Sequence, residues 1–487
     1  MMKALLFYPD NLIRTCIAPP YSLLGPAKRI MGAGHDVTLI DARFNEDLEK
    51  TESELSDSDI LVVSMMTSTQ YLTSIGVIKK ASEEYGCKIA LIGIYASFNK
   101  DLLLKNYMVD FIAEGDVSYI LTECMTKDYR RVPGTSYYAY GEVIDIPASD
   151  NSLDYGEYLP FPWHLIQAQR YIENYKGMKV YRYATSFGCP NRCDYCYQKK
   201  FWKNGWIGAS KEKVLEDIDE LLKLVNIDAI YFFDDNIMAD RKRAFDIFDG
   251  LYDRGIMWSC MTRADNVDRD FVEKMSHTGC YKICVYSESG SQKTLDSMRA
   301  DFDVIDSARA AMFLGVYGIK SEFYFMIGYL GETMDDVIET VELKEHVERI
   351  CEANTKIKVI IPLFGTDYYN QAYDAGYRQK YDIVSLFDEA QNSSVTELPW
   401  FTPEDNKKLH YISILSELSY INKSPPEELP MLQQLILRSL APAIDYTIKH
   451  RIWNHPIDIV PLQSLLELHN KKIIDGLLTE VVKMQKV

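Results

Sequence analysis

The stretch KVYRYATSFGCPNRCDYCYQKKFW, residues 179–202, decides how this chain is read. It opens as an apolar and aromatic strand and runs straight into Cys189, Cys193 and Cys196, spaced C-x3-C-x2-C. A loop that follows a strand in a βα series lies on the rim where strand carboxyl ends emerge, the functional face of such folds. Structural zinc takes four protein ligands in a closed tetrahedron, and the nearest further cysteine, Cys260, belongs to another strand. A cubane [4Fe–4S] cluster also takes four ligands, usually thiolates. Three supplied by the chain leave one iron open to a small molecule. Zinc completed by a distant ligand and thiols buried for packing are the alternatives; spacing and position together favour the cluster.

Further strands follow the cysteine loop. They are DAIYFFDD (228–235), MWSCMTRA (257–264), YKICVYSES (281–289), KSEFYFMIG (320–328) and KVIIPLF (358–364), with helical patterns between them. Six βα units over 176–390 make a partial (β/α)6 barrel whose site faces the strand carboxyl ends. Cys280 and Cys284 share one side of a strand and read as buried packing thiols.

Upstream, residues 1–135 alternate continuous apolar strands (KALLFYP, DVTLIDA, DILVVSMM, KIALIG, VDFIAEG) with helices. That pattern predicts an α/β, doubly wound, Rossmann-like parallel sheet. Its ligand loops open at Pro9, Ser64, Gly93 and Glu114, along one rim. Residues 136–175, rich in Tyr, Pro and Gly, read as a linker with a short hairpin. Residues 391–487 turn to helical periodicity and read as a small helical C-terminal domain.

With 487 residues the chain has room for two or three domains. Its net charge of −18 argues against a general nucleic-acid binder. There is no apolar run of about 18 residues, so no membrane span is expected. No signal peptide is read at the start. The ten cysteines are then expected in a reducing cytoplasm, where clustered thiols mean metal or redox chemistry.

The cysteine spacing resembles that of the radical SAM enzymes, which carry C-x3-C-x2-C after the first barrel strand. The resemblance implies a [4Fe–4S] cluster on Cys189, Cys193 and Cys196, with S-adenosylmethionine on the open iron. Tyr195 matches the aromatic near the adenine. FFDDN (232–236) matches the second-strand motif, placing Asp234, Asp235 and Asn236 near the methionyl amine. SESGS (287–291) places Glu288 at the ribose with Ser289 beside it; Arg263, at the end of the third strand, joins the cofactor set. FMIGYLGET (325–333), with Gly328, and IPLFGTDYY (361–369), with Leu363, resemble the fifth- and sixth-strand motifs. An electron donor such as flavodoxin or ferredoxin is implied as partner.

A doubly wound domain ahead of such a barrel resembles the cobalamin-binding radical SAM group related to the anaerobic cyclase of bacteriochlorophyll synthesis. APPYSLLGPAKRIMGAGHDVTLIDA (18–42), VVSMMTSTQ (62–70), LIGIYASF (91–98) and FIAEGDVSYIL (111–121) carry the likeness. It implies cobalamin contacts from Tyr21, from Ser64, Met65, Met66, Thr67, Ser68 and Gln70, from Gly93, Ile94, Tyr95 and Ser97, and from Glu114 and Gly115. The D-x-H-x-x-G signature that would supply a histidine to cobalt is absent, and His35 reads as a turn cap. Met66, Gln70, Tyr71 or Tyr95 are then left to approach the lower axial face. A sheet without ligand, kept for docking, is the plain alternative. Methylthiotransferases share the architecture, but Cys87 and Cys124 lie away from the rim where their further cluster would sit, and only Cys16 is loop-placed.

The resulting expectation is a cobalamin-dependent radical SAM methyltransferase that methylates an unactivated sp3 carbon. A small molecule, a lipid, or a peptide or protein remain open as substrate. The alternatives are the same cofactors without methyl transfer, as in cyclisation or ring rearrangement, and a cobalamin sensor or carrier with an inactive barrel.

Overall fold

A computed structural model describes residues 1–11, 17–106, 108–148, 154–202, 205–378, 398–406, 408–410, 412–413 and 416. The helical domain read over 391–487 falls almost wholly outside them.

Two seven-stranded sheets organise the molecule. In the first, β1 (Lys3–Tyr8), β2 (Asp36–Asp41), β3 (Ile60–Ser64), β4 (Lys88–Ile92) and β5 (Phe111–Ala113) run parallel in the order β2-β1-β3-β4-β5. Successive residues point to opposite faces, and both faces are covered. Leu6, Ile60 and Val62 belong to one core, while Leu5, Phe7, Leu61 and Val63 belong to another. Burial on both faces is why these strands read as unbroken apolar runs. The order reverses between β1 and β3, so the crevice for a ligand opens beyond their carboxyl ends.

The stretch read as hairpin and linker does contain a hairpin, and it adds strands to both sheets. β6 (Thr135–Ala139) and β7 (Glu142–Asp145) form a hairpin that extends the first sheet antiparallel to β5. β8 (Ile172–Tyr175) pairs antiparallel with β9 (Met178–Tyr183) at the edge of the second sheet. Between them, Tyr155, Tyr158, Phe161, Trp163 and Tyr171 are all buried. Its Tyr and Pro content thus marks a packed seam.

After β9 a short ribbon, β10 (Ser186–Gly188) with β11 (Trp206–Gly208), brackets the cysteine loop. Then β12 (Ala229–Phe232), β13 (Met257–Arg263), β14 (Cys280–Glu288), β15 (Ser321–Ile327) and β16 (Asn354–Val359) continue parallel from β9, giving β16-β15-β14-β13-β12-β9-β8. Six of these seven strands are parallel, a half-barrel with helices outside. The sixth strand lies earlier than the apolar run 358–364 that was read as it. The strand is NTKIKV, in which Thr355, Ile357 and Val359 are buried and alternate with polar residues. An edge strand with one covered face alternates, and the apolar residues after it form the loop.

The seam fixes the two sheets together. The Tyr21 hydroxyl donates to the Arg182 carbonyl at 2.6 Å, and its ring lies 5.2 Å from that of Phe161. Asp217, fully buried, accepts from the Phe161 N–H at 2.7 Å, the Trp163 indole N–H at 2.9 Å and the Tyr183 hydroxyl at 2.5 Å. The two rims also touch directly. A Cβ on Gly365, after β16, would lie 2.6 Å from the ring of Phe98, after β4.

Candidate active site

The cysteine loop is positioned by buried polar groups at the ends of β9 and β12. Asp234 accepts from the Thr185 N–H at 3.1 Å, from the Thr185 hydroxyl at 2.6 Å and from Ser186 Oγ, and is 2% exposed. Its carboxylate thus faces the loop's own backbone, away from any ligand. Asp235 accepts from the Gly188 N–H at 2.8 Å and from Gln198 Nε2, one partner on each side of the three cysteines. Burial pushes the Asp235 carboxyl up to about 6. Asn236 donates from Nδ2 to Cys189 Sγ at 3.4 Å. The three residues read together as a cofactor motif therefore divide into two braces and one donor to sulfur.

All three cysteines are free and half-buried. Burial pushes the Cys193 thiol up to about 11 and that of Cys196 up to about 12. As bare thiols both stay protonated at neutral pH; metal coordination is what stabilises such sulfurs as thiolates. Among the described residues no three His, Cys, Asp or Glu side chains converge closely enough to share a single ion. What fits the loop to a cluster is its donor chemistry: three thiols at one barrel rim, with an amide N–H aimed at one sulfur.

Glu288 ends β14 in a left-handed backbone, φ 58°, where the register with β15 slips. A non-glycine residue there costs on the order of 1–3 kcal/mol, strain characteristic of functional sites. Tyr195 lies beside the Glu288 carboxylate and Cys193, close enough for each to act on the other's ionisation. Burial raises the Glu288 carboxyl to about 7, against the opposing pull of Tyr195 and Arg263. Arg263 pairs with Asp265 at 2.9 Å, yet its Nη1 is buried without a hydrogen-bond partner. The structure thus brings Cys193, Tyr195, Arg263 and Glu288 together around one polar pocket end.

The remaining barrel positions differ. Ser289 is fully buried, and its Oγ meets Thr340 Oγ1 at 3.1 Å and accepts from the Ser291 N–H. Gly328 is covered: a Cβ there would lie 2.5 Å from Leu398, and its carbonyl accepts from the Trp400 indole at 3.1 Å. Leu363 is 40% exposed on the rim, beside the exposed Phe364. Cys284 is buried with its Sγ 3.6 Å from Glu322 Oε2, and the other oxygen of that carboxylate forms a buried ion pair with Lys282. Its neighbours are polar, unlike those of a packing thiol.

On the first sheet's rim, Gln70 is fully engaged. Its Oε1 accepts from the Met66 N–H at 2.7 Å and its Nε2 donates to the Pro9 carbonyl at 3.3 Å. It locks the crevice between β1 and β3 and has no free end for cobalt. Ser64 is bonded to Ser22, Oγ to Oγ at 2.8 Å, and Met65 is buried with its N–H on the Ile92 carbonyl. Ser68 opens the helix Ser68–Glu83, capped by the exposed Thr67. Gly93, φ 103°, opens the helix Ile94–Phe98; its missing Cβ would lie 2.5 Å from the Met65 carbonyl. Glu114 pairs with Lys100, and Gly115 turns the chain beside Ala148. Tyr21 is drawn into the seam, and Tyr71 is buried. Met66 and Tyr95 stay half-buried on the rim, and Ser97 Oγ is buried without a partner. His35 sits at the opposite strand ends, its Nδ1 accepting from the Met2 N–H.

Two residues of the site escaped the sequence reading. Gln198, two positions after Cys196, could have been found by its place in the motif. Arg243, which donates to the Thr185 carbonyl at 2.8 Å and to that of Ala209, lies in a helix with no local signature.

Residues 183–343 match the radical SAM superfamily. The chain carries a radical SAM domain. It is 25% identical over 373 residues to an uncharacterized methyltransferase of Pyrococcus horikoshii, an alignment covering 72% of this chain and 79% of the relative. It is also 25% identical over 331 residues to the anaerobic magnesium-protoporphyrin IX monomethyl ester cyclase of Rubrivivax gelatinosus, covering 64% of this chain and 59% of the cyclase. The chain therefore spans less than two thirds of the cyclase. Among solved structures, the cobalamin-dependent S-adenosylmethionine radical enzyme OxsB, with aqua-cobalamin and S-adenosylmethionine bound, superposes with a TM-score of 0.71 at 17% identity. That match covers 96% of this chain and 75% of OxsB. The radical S-adenosylmethionine methyltransferase TsrM of Kitasatospora setae, with cobalamin and a [4Fe–4S] cluster, gives a TM-score of 0.63 at 15% identity, covering 77% and 75%. At these identities the likeness is one of fold. The match to OxsB covers both sheets, so the α/β domain and the half-barrel share the fold of that enzyme. Among the described residues no helix is long and apolar enough to cross a membrane.

Proposed function

We propose that the chain is a cobalamin-dependent radical SAM methyltransferase acting on an unactivated sp3 carbon. The observation that carries this reading is the contact between the two rims, the loop after β16 at Gly365 against Phe98 after β4, in a fold shared with a cobalamin-bound enzyme. When bound, the cluster with S-adenosylmethionine supplies a 5′-deoxyadenosyl radical, and cobalamin supplies a transferable methyl group.

Cys189, Cys193 and Cys196 would hold the cluster. Asp235 keeps the loop ends in register through Gly188 and Gln198, and Asn236 steadies Cys189. Glu288, Tyr195 and the unpaired Arg263 Nη1 would orient the nucleoside part of S-adenosylmethionine. On the facing rim, Met66 and Tyr95 would meet the lower corrin face. Ser97 Oγ, buried and without a partner, fits a polar tail. Histidine ligation is not part of this reading, since His35 lies at the far strand ends. A cytoplasmic setting and an external electron donor belong to the same reading.

The test is anaerobic turnover with S-adenosylmethionine carrying a deuterated methyl group. Label in the product at a carbon position supports methyl transfer. The second reading, cyclisation or ring rearrangement, is favoured by the cyclase relatives; it predicts 5′-deoxyadenosine and a modified product without label.

A further inference from the structure

Along residues 189–196 one side chain alone is buried, and it is a carboxylate. Asp194 is 2% exposed, between the half-buried Cys193 and Tyr195. Acidic side chains are almost never buried so fully unless they are paired. Every polar group of Asp194 is engaged. Its N–H donates to the Met298 carbonyl at 3.1 Å, and its carbonyl accepts from the Tyr368 N–H at 3.0 Å. Oδ1 accepts from Lys199 Nζ at 3.2 Å. Oδ2 accepts from Gln371 Nε2 at 3.1 Å and pairs with Arg299 Nε at 3.5 Å.

These partners come from two other strand outlets. Met298 and Arg299 follow the helix Gln292–Ser297, which leaves the carboxyl end of β14, while Tyr368 and Gln371 lie in the helix Asp367–Asp374 after β16. Arg299 reaches the carboxylate from a left-handed backbone, φ 51°, a strained conformation for a non-glycine residue. Lys199 adds a second tie to the same side, reaching Asp367 Oδ2 at 2.6 Å. From β12, Asp235 and Asn236 hold the loop at Gly188, Cys189 and Gln198. Asp194 holds its middle, from β14 and β16.

A buried ion pair adds little net stability, because desolvation offsets the attraction. What contacts in so many directions do supply is a fixed place for the two neighbouring residues. We propose that Asp194 is a positioning residue that sets Cys193 and Tyr195 against the outlets of β14 and β16, and whose charge holds the cluster's potential down. The inference rests on the cluster reading given above and deepens it. One negative charge is set here against Lys199 and Arg299, beside a cluster ligand. Without it, their positive charge stabilises the more negative, reduced cluster.

The test uses the full chain, reconstituted anaerobically with iron and sulfide, as wild type, Asp194→Ala and Asp194→Asn. Iron content, electron paramagnetic resonance of the reduced cluster, its potential and calorimetric affinity for S-adenosylmethionine are measured; none of them needs turnover. In Asp194→Ala the single resonance signal is expected to give way to a mixture, and affinity to fall about tenfold or more. Asp194→Asn keeps an acceptor oxygen but not the charge. It should recover a single signal and most of the affinity, with a potential higher than that of the wild type. Wild-type signal and affinity in Asp194→Ala, or an unshifted potential in Asp194→Asn, would overturn the proposal. So would equal loss of iron in both variants, which would make Asp194 a general support of the fold. Should Asp194→Ala fail to fold, the potential of Asp194→Asn decides alone. If the wild type itself holds no iron, the cluster reading fails and this proposal falls with it.

Discussion

The two rims that meet at Phe98 and Gly365 are built on opposite plans. On the barrel, side-chain carboxylates and amides are committed to named atoms: Asp234 to Thr185, Asp235 to Gly188 and Gln198, Asn236 to Cys189. On the first sheet, the rim is mainly backbone, glycine and neutral side chains, with Gln70 closing the crevice, Ser64 resting on Ser22 and Glu114 the one predicted contact held in an ion pair. A metal demands particular donor atoms at particular places. A large organic cofactor demands mainly a shaped surface with a few polar contacts. The first kind of rim should fail at single atoms, the second through shape.

The largest effect is expected where donor atoms are fewest. Cys193→Ala should leave the reconstituted protein short of iron and reduce S-adenosylmethionine cleavage by about a thousandfold or more, since beyond Cys189 and Cys196, ligands themselves, no described cysteine lies on that loop to replace it. Iron content and 5′-deoxyadenosine formation measure it. Full cleavage in this variant would remove the distinction between the rims.

The seam that holds the rims in register makes a second, pH-dependent prediction. Burial raises Asp217 to about 6 from the 3.8 of an exposed aspartate. Between about pH 4 and pH 6 the unfolded chain releases this proton while the folded chain keeps it. The folded state then binds more protons, and the free energy of unfolding falls as pH rises, by about 3 kcal/mol across the window. Above pH 6 the contribution is flat. Urea unfolding of wild type and Asp217→Asn across pH 4–7 should show this extra slope in the wild type only; parallel curves would rule it out.

Shape failure is tested at Gly93. An alanine there must accept φ 103° and a Cβ 2.5 Å from the Met65 carbonyl. The expected cost is about 2 kcal/mol, measured by urea unfolding, together with weaker cobalamin retention. Gly34→Ala is the control: its φ is 84°, but nothing lies within 4 Å of the added carbon. It should cost about half as much and leave cobalamin binding alone. Equal losses would mean that backbone strain, and not the rim's shape, is what Gly93 supplies.

The same contrast explains what the sequence could disclose. The cysteine triplet and the apolar strands were legible because ligand chemistry and double burial each leave a local pattern, whereas Glu288 entered only through the family resemblance. Asp234 was legible as a motif residue, but not its inward aim, which depends on Thr185 and Ser186 forty-eight or more positions away. The seam was hidden for the same reason. Tyr21 looked like a rim residue until β9 supplied its carbonyl, and Asp217 looked like any helix aspartate until three donors converged on it. The sixth strand was misplaced because alternation in NTKIKV is a weaker signal than the apolar IIPLF that follows. On the first rim, Met66, Tyr95 and Ser97 have no signature beyond following a strand.

The smallest expected effect discriminates most finely, because it removes a single hydrogen bond from the barrel rim. Asn236 is the one described side chain whose N–H is directed at Cys189 Sγ, at 3.4 Å, and it is itself only 9% exposed. Hydrogen bonds to cluster sulfurs stabilise the more negative, reduced state and raise the potential. Asn236→Ala should therefore make the cluster harder to reduce while leaving its iron content unchanged, and lower S-adenosylmethionine cleavage about tenfold. Potentiometric titration followed by electron paramagnetic resonance reads the first effect independently of turnover. Asn236→Asp offers an acceptor where the sulfur needs a donor and should shift the potential further in the same direction. If the potential stays put in both variants while cleavage falls, Asn236 acts on S-adenosylmethionine itself, and FFDDN keeps its two braces but loses its donor to sulfur.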